Sequence, residues 1–129
     1  MNKFINEYLL EAKNTCSLLD QKTIKNIVVT LKNIKKNNGR IFFLGVGGGA
    51  GNSTHAVNDF RKICGIESYS PSDNVSELTA RINDEGWSSS YKEWLIVSNL
   101  SKNDALFIFS VGGGDIKKKK LKNMALWVA

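Results

Sequence analysis

His55 and Asp59 are the side chains in this sequence whose types and spacing best suit moving a proton or holding a cation. They stand four positions apart in a stretch, residues 52–64, that reads as a helix, so an imidazole and a carboxylate share one face a turn apart. Such a pair can bind one metal ion or act as an acid/base couple beside a substrate. An exposed pair in weak ion-pair contact has the same pattern. His55 is the only histidine in the chain. Directly ahead of it lies a glycine run, Gly45 to Gly51, and a second cluster, Gly112-Gly113-Gly114, occurs near the other end. Glycines let backbone N–H groups approach an anion with no Cβ in the way, and a following helix adds its positive dipole end. Two such clusters after separate strands point to a site for an anionic small molecule. Tight strand-to-helix turns that hold no ligand are the alternative.

The first loop, Gly45-Val46-Gly47-Gly48-Gly49-Ala50, also fits the dinucleotide fingerprint G-x-G-x-x-A, with Glu67 about 20 residues on, where a ribose-binding acid is expected. Two points weigh against this reading. Glu67 stands at the start of its short strand whereas the ribose acid belongs at the far end, and the fingerprint gives no reason for the second glycine cluster.

The elements that must position these residues follow from periodicity. Residues 3–19 carry Phe4, Ile5, Tyr8, Leu9, Ala12, Cys16 and Leu19 at helical spacings. A second amphipathic helix runs through Ile24, Ile27, Val28, Leu31 and Ile34, with Asp20 or Thr23 as its cap and Asn37-Asn38-Gly39 as its end. Ile41-Phe42-Phe43-Leu44 is apolar without alternation, the mark of a strand covered on both faces. Ile66 to Ser70 is a short strand, Val75 to Ile82 a helix capped by Asn74, and Trp87 to Ser98 another helix. Asn99 to Asp104 is a polar turn leading into a second buried strand, Ala105 to Ser110. Strands alternating with helices predict an α/β fold, a three-layer open parallel sheet with flanking helices of the flavodoxin or Rossmann kind. Ligands of such sheets bind beyond the carboxyl ends of the strands, where both glycine clusters fall.

Length and composition bound the rest. The 129 residues make one domain, 42% hydrophobic and 23% charged, which argues for a packed core rather than disorder. Eighteen Lys and Arg against 12 Asp and Glu give a net charge of +6. Five of those charges are Lys117 to Lys120 and Lys122, within the last 13 residues, and no acid follows Asp115. Without these five lysines, 13 basic residues face 12 acidic ones and the net falls to +1, so the charge points to no nucleic-acid partner. Cys16 and Cys64 make no disulfide framework. The first residues carry no apolar targeting segment, and no apolar run approaches membrane-spanning length, so a cytoplasmic protein without a membrane partner is expected.

Phe42-Phe43-Leu44-Gly45-Val46-Gly47-Gly48-Gly49, followed by His55 and Asp59, resembles the first signature of the SIS (sugar isomerase) domain, and within it the phosphoheptose isomerase branch. Phe109-Ser110-Val111-Gly112-Gly113-Gly114-Asp115 stands where that family carries its second phosphate-binding loop, and Asp73 to Leu78 and Asn83 to Trp87 resemble its middle section. The resemblance implies an aldose–ketose isomerase that converts sedoheptulose 7-phosphate to D-glycero-D-manno-heptose 7-phosphate through an enediol(ate), supplying heptose for surface polysaccharide. It implies a homotetramer with active sites between subunits. It makes His55 a zinc ligand and Asp59 a ligand and acid/base group. It places Gly47, Gly48 and Gly49 at the phosphate with Ser110, Val111, Gly112 and Asp115, and Asn74 against the substrate. A non-catalytic sugar-phosphate-binding module of the same fold is the alternative, and a dinucleotide-binding domain the second.

Several positions depart from the family. Asp59 replaces a Glu and shortens its reach by one methylene. Gly49 and Gly112 replace serines, leaving the phosphate more dependent on backbone N–H groups. Asp115 beside a phosphate is unfavourable unless it caps a helix. The family continues past the second loop, where a Gln and a His complete the metal site. Three segments are therefore expected: an N-terminal helical region (1–38), a partial SIS domain (39–116) and a basic tail (117–129). Four consecutive lysines are what a long adenine run encodes, so a frameshift truncation of a longer isomerase, inactive alone and with an unpaired strand edge, is the expectation.

Overall fold

The computed structural model describes residues 2–112 and 126–128. They divide into two units, residues 1–32 and 33–129. The first contains helix α1 (Asn2–Ser17) and most of helix α2 (Gln21–Lys36). Asp20 caps α2: its carboxylate accepts the N–H groups of Lys22 (3.0 Å) and Thr23 (3.2 Å), which settles the choice between Asp20 and Thr23. Beyond the end of α2 at Lys36 the chain turns at Asn38, which takes the left-handed conformation (φ 54°). α1 has no buried residue, and Phe4, Leu9 and Leu18 lie on the surface of this unit.

The second unit is the α/β domain that the apolar runs predict. Strand β1 (Ile41–Gly45) is buried throughout, flanked by β2 (Ser68–Tyr69) on one side and β3 (Ala105–Phe109) on the other, both parallel to it. Helix α3 (Gly48–Lys62) joins β1 to β2. A 3-10 turn (Pro71–Asp73), helix α4 (Val75–Glu85) and helix α5 (Trp87–Val97) carry the chain from β2 across to β3. The sheet order is β2-β1-β3-β4, the last strand (Leu126–Val128) lying antiparallel along β3. The outer edge of β3, expected to be unpaired, is therefore covered.

Aromatic rings fill both faces of β1. Phe43 packs against Phe60 of α3 (5.0 Å between centroids) and Phe107 of β3 (5.5 Å) on one side. Phe42 meets the edge of Trp94 of α5 (5.7 Å) on the other. The contacts of α5 run in reverse order along β1: Tyr91 with Gly45, Trp94 with Phe42, and the carbonyls of Ser98 and Asn99 with Arg40. α5 is thus antiparallel to the strands, with its first turn at their carboxyl ends. At the amino ends Arg40 donates from its backbone N–H (2.8 Å), Nε (3.2 Å) and Nη2 (2.8 Å) to the buried carboxylate of Asp104 and lies over the Phe42 ring. Burial alone would push the Asp104 carboxyl up. The Arg40 guanidinium and backbone N–H, with the N–H and hydroxyl of Ser101, outweigh it and hold the group below the usual carboxylate range.

Two elements differ from expectation. The expected glycine loop, Gly45 to Gly51, shrinks to Val46 and Gly47, because Gly48 already belongs to α3, which begins four residues before the predicted start. The N–H groups of Gly49 and Ala50 fold straight back onto the carbonyls of Val46 and Gly47 (3.0 Å each). The glycines serve close approach: a Cβ on Gly45 would lie 2.2 Å from the Gly49 carbonyl oxygen. β2 is also shorter than Ile66 to Ser70, because the Ile66 N–H closes the end of α3 on the Phe60 carbonyl (3.0 Å) instead of joining the sheet.

Candidate functional site

β1 connects to β2 on one side, and the chain then crosses back to β3 on the other, so the strand order reverses at β1. A crevice at the carboxyl ends of β1 and β3 is the position where open α/β sheets take ligands. The first glycine segment meets the end of β3 there. Gly49, in the first turn of α3, lies so close to the end of β3 that a Cβ on it would stand 2.9 Å from the Phe109 carbonyl oxygen. Ser110, Val111 and Gly112 follow that carbonyl, with Val111 fully exposed.

Gly47 (φ 58°) needs the left-handed conformation that releases the chain from β1 into α3. Among the described residues, and apart from the flanking backbone, no atom lies within 4 Å of where a side chain on Gly47, Gly48 or Gly112 would begin, so these positions open outward. The start of α3 can thus present N–H groups and its dipole end to an anion on the open side. Ser53 takes no part, since its buried hydroxyl donates to the Gly49 carbonyl (2.9 Å).

Gly48, Asn52, His55 and Asp59 fall at i, i+4, i+7 and i+11 and so line one face of α3, away from the core face marked by Ser53 and Val57. His55 Nε2 stands 3.3 Å from Asp59 Oδ2, the side chains 78% and 42% exposed. The seven residues from Gly48 to His55 rise about 10 Å along the helix. That matches the reach of an extended sugar phosphate whose phosphate sits at the helix start.

Tetrahedral zinc takes four donors. Among the described residues no three His, Cys, Asp or Glu side chains come together, and His55 with Asp59 supplies two donors only. The described residues do not amount to a zinc site by themselves. Asn74 caps α4, its Oδ1 accepting the Glu77 N–H (3.2 Å), as the sequence predicts, and its amide nitrogen is the part left for a ligand. Asp115 lies outside the described residues.

Glu67 precedes β2, and its carbonyl accepts the Ile41 N–H (2.9 Å) at the amino end of β1, the end remote from Gly47. Its carboxylate accepts the Tyr69 hydroxyl (2.8 Å). The dinucleotide fingerprint therefore lacks its ribose acid at the glycine end.

Periodicity missed two groups beside the site. Thr54 of α3 faces the turn after β2, its hydroxyl 3.4 Å from that of Ser72, which is 2.8 Å from that of Ser70. Tyr91 of α5 donates its hydroxyl to the Gly45 carbonyl (2.6 Å), and burial pushes its phenol pKa up, which keeps the donor proton in place. Two further clues were present in the sequence: the hydroxyl-rich run from Ser68 to Ser72, which begins in β2 and continues past it, and an aromatic pair one turn apart at the start of α5.

No protein-family model matches the chain, and no curated protein sequence does. Among solved structures, phosphoheptose isomerase GmhA from Neisseria gonorrhoeae superposes with a TM-score of 0.69 at 20% identity. The chain shares that isomerase's fold. The match covers 87% of this chain and 59% of the isomerase, so this chain spans less than two thirds of that protein's length. Among the described residues no helix is long and apolar enough to cross a membrane.

Proposed function

We propose that the protein binds a phosphorylated sugar at the carboxyl ends of β1 and β3 and isomerises it between aldose and ketose. The observation that carries this reading is the line on α3 that joins the glycine opening to His55 and Asp59, set where the strand order reverses and Gly49 meets Phe109. Gly47, Gly48 and Gly49 with Ser110, Val111 and Gly112 take the phosphate. Asp59 then lies beside the carbonyl end of the open-chain sugar. Its carboxylate removes the proton from the carbon next to the carbonyl, and the C–H electron pair becomes the double bond of an enediolate. Return of the proton to the neighbouring carbon, as the adjacent hydroxyl becomes the carbonyl, completes the exchange. His55, one turn away, orients that carboxylate and moves a proton between the two oxygens. The fold shared with the gonococcal isomerase favours sedoheptulose 7-phosphate as substrate, D-glycero-D-manno-heptose 7-phosphate as product, and heptose for surface polysaccharide as the use.

The pair points outward, so a second copy of the chain closing over α3, as in a homotetramer, would exclude water from the reaction and contribute the missing donors for zinc. The reading places the enzyme in the cytoplasm. Incubation with sedoheptulose 7-phosphate in deuterated water tests it. The wild-type protein is expected to introduce deuterium beside the carbonyl, and His55→Ala to lower the rate about 10²-fold or more without moving the melting temperature. Binding without deuterium uptake would favour a sugar-phosphate-binding module, a reading that the exposure of His55 also supports. Absence of both binding and exchange would sink both readings.

A further inference from the structure

Asn38-Gly39 is the only Asn-Gly pair in the sequence, and the joint between α2 and β1 uses both residues. Exposed Asn38 takes the left-handed conformation just past α2, and its N–H donates to the Lys35 carbonyl (3.2 Å). The Gly39 N–H reaches back to the Ile34 carbonyl (2.9 Å). These two bonds close the turn in the Schellman pattern, whose left-handed position favours glycine or asparagine. Gly39 is buried, and a Cβ on it would overlap the Asn103 carbonyl oxygen and crowd Cγ2 of Ile34 (3.2 Å). Glycine is therefore required there. Its successor, Arg40, is fixed by its backbone N–H to Asp104 (2.8 Å). Close packing has thus set an asparagine amide next to a backbone nitrogen that no side chain shields.

We infer that Asn38 is a site of spontaneous deamidation that the folded joint holds shut and that opening of the joint releases. In the reaction the Gly39 nitrogen gives its proton to solvent hydroxide and attacks Cγ of Asn38. The bond from Cγ to the amide nitrogen breaks, ammonia leaves, and a cyclic imide forms. Water then opens the ring at either carbonyl to give aspartate or isoaspartate, so the sum is one water gained and one ammonia lost. A glycine nitrogen suits this attack because no Cβ crowds its approach. The fold opposes the reaction twice. The Gly39 N–H is donated to Ile34, which favours the protonated nitrogen, and burial disfavours its anion. The isoaspartate product routes the main chain through the former side-chain carbon and lengthens it by one methylene. With Arg40 held on Asp104, the Gly39 N–H then no longer closes on Ile34. A joint that has opened and converted does not re-form, so the modification is a one-way record of opening.

The test incubates the full chain at mildly alkaline pH, with and without enough urea to unfold it, and follows the fragment containing Asn38 and Gly39 by mass spectrometry. In urea the fragment is expected to gain the mass of amide-to-acid conversion and to separate into aspartate and isoaspartate forms. The folded chain should convert about tenfold more slowly or slower still, the factor reporting how rarely the joint opens. Ile34→Ala removes the packing under the turn but keeps the Asn-Gly pair, so it should raise the rate without urea toward the rate in urea. Asn38→Gly keeps the left-handed turn and should abolish the mass gain in both conditions, which assigns it to this residue. A folded wild type that converts as fast as the chain in urea would overturn the inference. So would an unfolded chain whose fragment keeps its amide. Ile34→Ala that is less stable than wild type yet converts at the wild-type rate would overturn the joint as the gate.

Discussion

The two ends of this sheet are built from opposite materials. At the amino end, Arg40 and Asp104 tie β1 to β3, the guanidinium reaches the carbonyls of Ser98 and Asn99, and each guanidinium nitrogen and each carboxylate oxygen of the pair finds a partner within the fold. At the carboxyl end no ion pair ties β1 to β3 among the described residues. Gly45 meets Gly49 and Gly49 meets Phe109 backbone to backbone, and Gly47, Gly48 and Gly112 face open space among the described residues. The Arg40–Asp104 pair can contribute stability, and its charges are already engaged within the fold. The open end leaves the N–H groups of Gly47 and Gly48 for an anion, those of Gly49, Ala50 and Gly51 being bonded to the carbonyls of Val46 and Gly47. Function and stability are thus separated along the strands, and each can be removed without the other.

The largest effect on the folded state is expected at the closed end. Asp104→Ala leaves Arg40 without its carboxylate and should cost about 3 kcal/mol, the low end for a broken buried pair because the Arg40 side chain keeps a quarter of its surface in water. Urea unfolding measures this, and sugar-phosphate affinity of the molecules still folded should be unchanged. A loss of affinity as large as the loss of stability would dissolve the separation between the two ends.

The same pair gives the second prediction, in pH. Its contacts hold the Asp104 carboxyl below the ordinary value, so the folded state binds that proton less readily than the unfolded chain does. The stabilisation is fully present above the ordinary aspartate pKa of about 4 and is lost as pH falls below that value through the lowered one. The stability difference between wild type and Asp104→Ala should therefore be constant from neutral pH to about pH 5 and shrink below about pH 4. A difference that grows on acidification would mean that the carboxyl is not ionised in the fold.

How far the two ends were legible in the sequence follows the same division. The unbroken run Ile41 to Leu44 announces a buried strand because both its faces are covered, and Asp20 and Asn74 announce helix starts because a cap acts within three residues. Local rules reach that far. Arg40 with Asp104 and Tyr91 with Gly45 are 64 and 46 positions apart, and no periodicity connects them. The glycine run was legible as a place for an anion but not in its shape. Glycine serves equally for a flexible loop and for close packing, and only the approach of Gly49 to Gly45 and to Phe109 decides between them. His55 and Asp59 were legible as a pair, while their outward direction depends on which face of α3 meets the sheet.

The smallest effect, and the sharpest for the open end, comes from comparing two alanines three residues apart. A Cβ on Gly45 would meet the carbonyl carbon and oxygen of Gly49 at 2.3 and 2.2 Å, where backbone faces backbone and neither side can swing away. Gly45→Ala should therefore push α3 off the strand and cost about 1–3 kcal/mol, with affinity falling because the turn itself moves. A Cβ on Gly48 meets nothing among the described residues, and the residue is helical, so Gly48→Ala should leave the stability unchanged or raise it by about 0.4–1 kcal/mol, the gain that replacing a compatible glycine with alanine gives. Its methyl group nevertheless stands in the opening where the phosphate is placed. Weaker sugar-phosphate binding in a protein as stable as wild type, read by calorimetry beside thermal unfolding, would locate the anion at the start of α3. Unchanged affinity would move the anion away from that helix and leave the segment after β3, beginning at Ser110, as its holder.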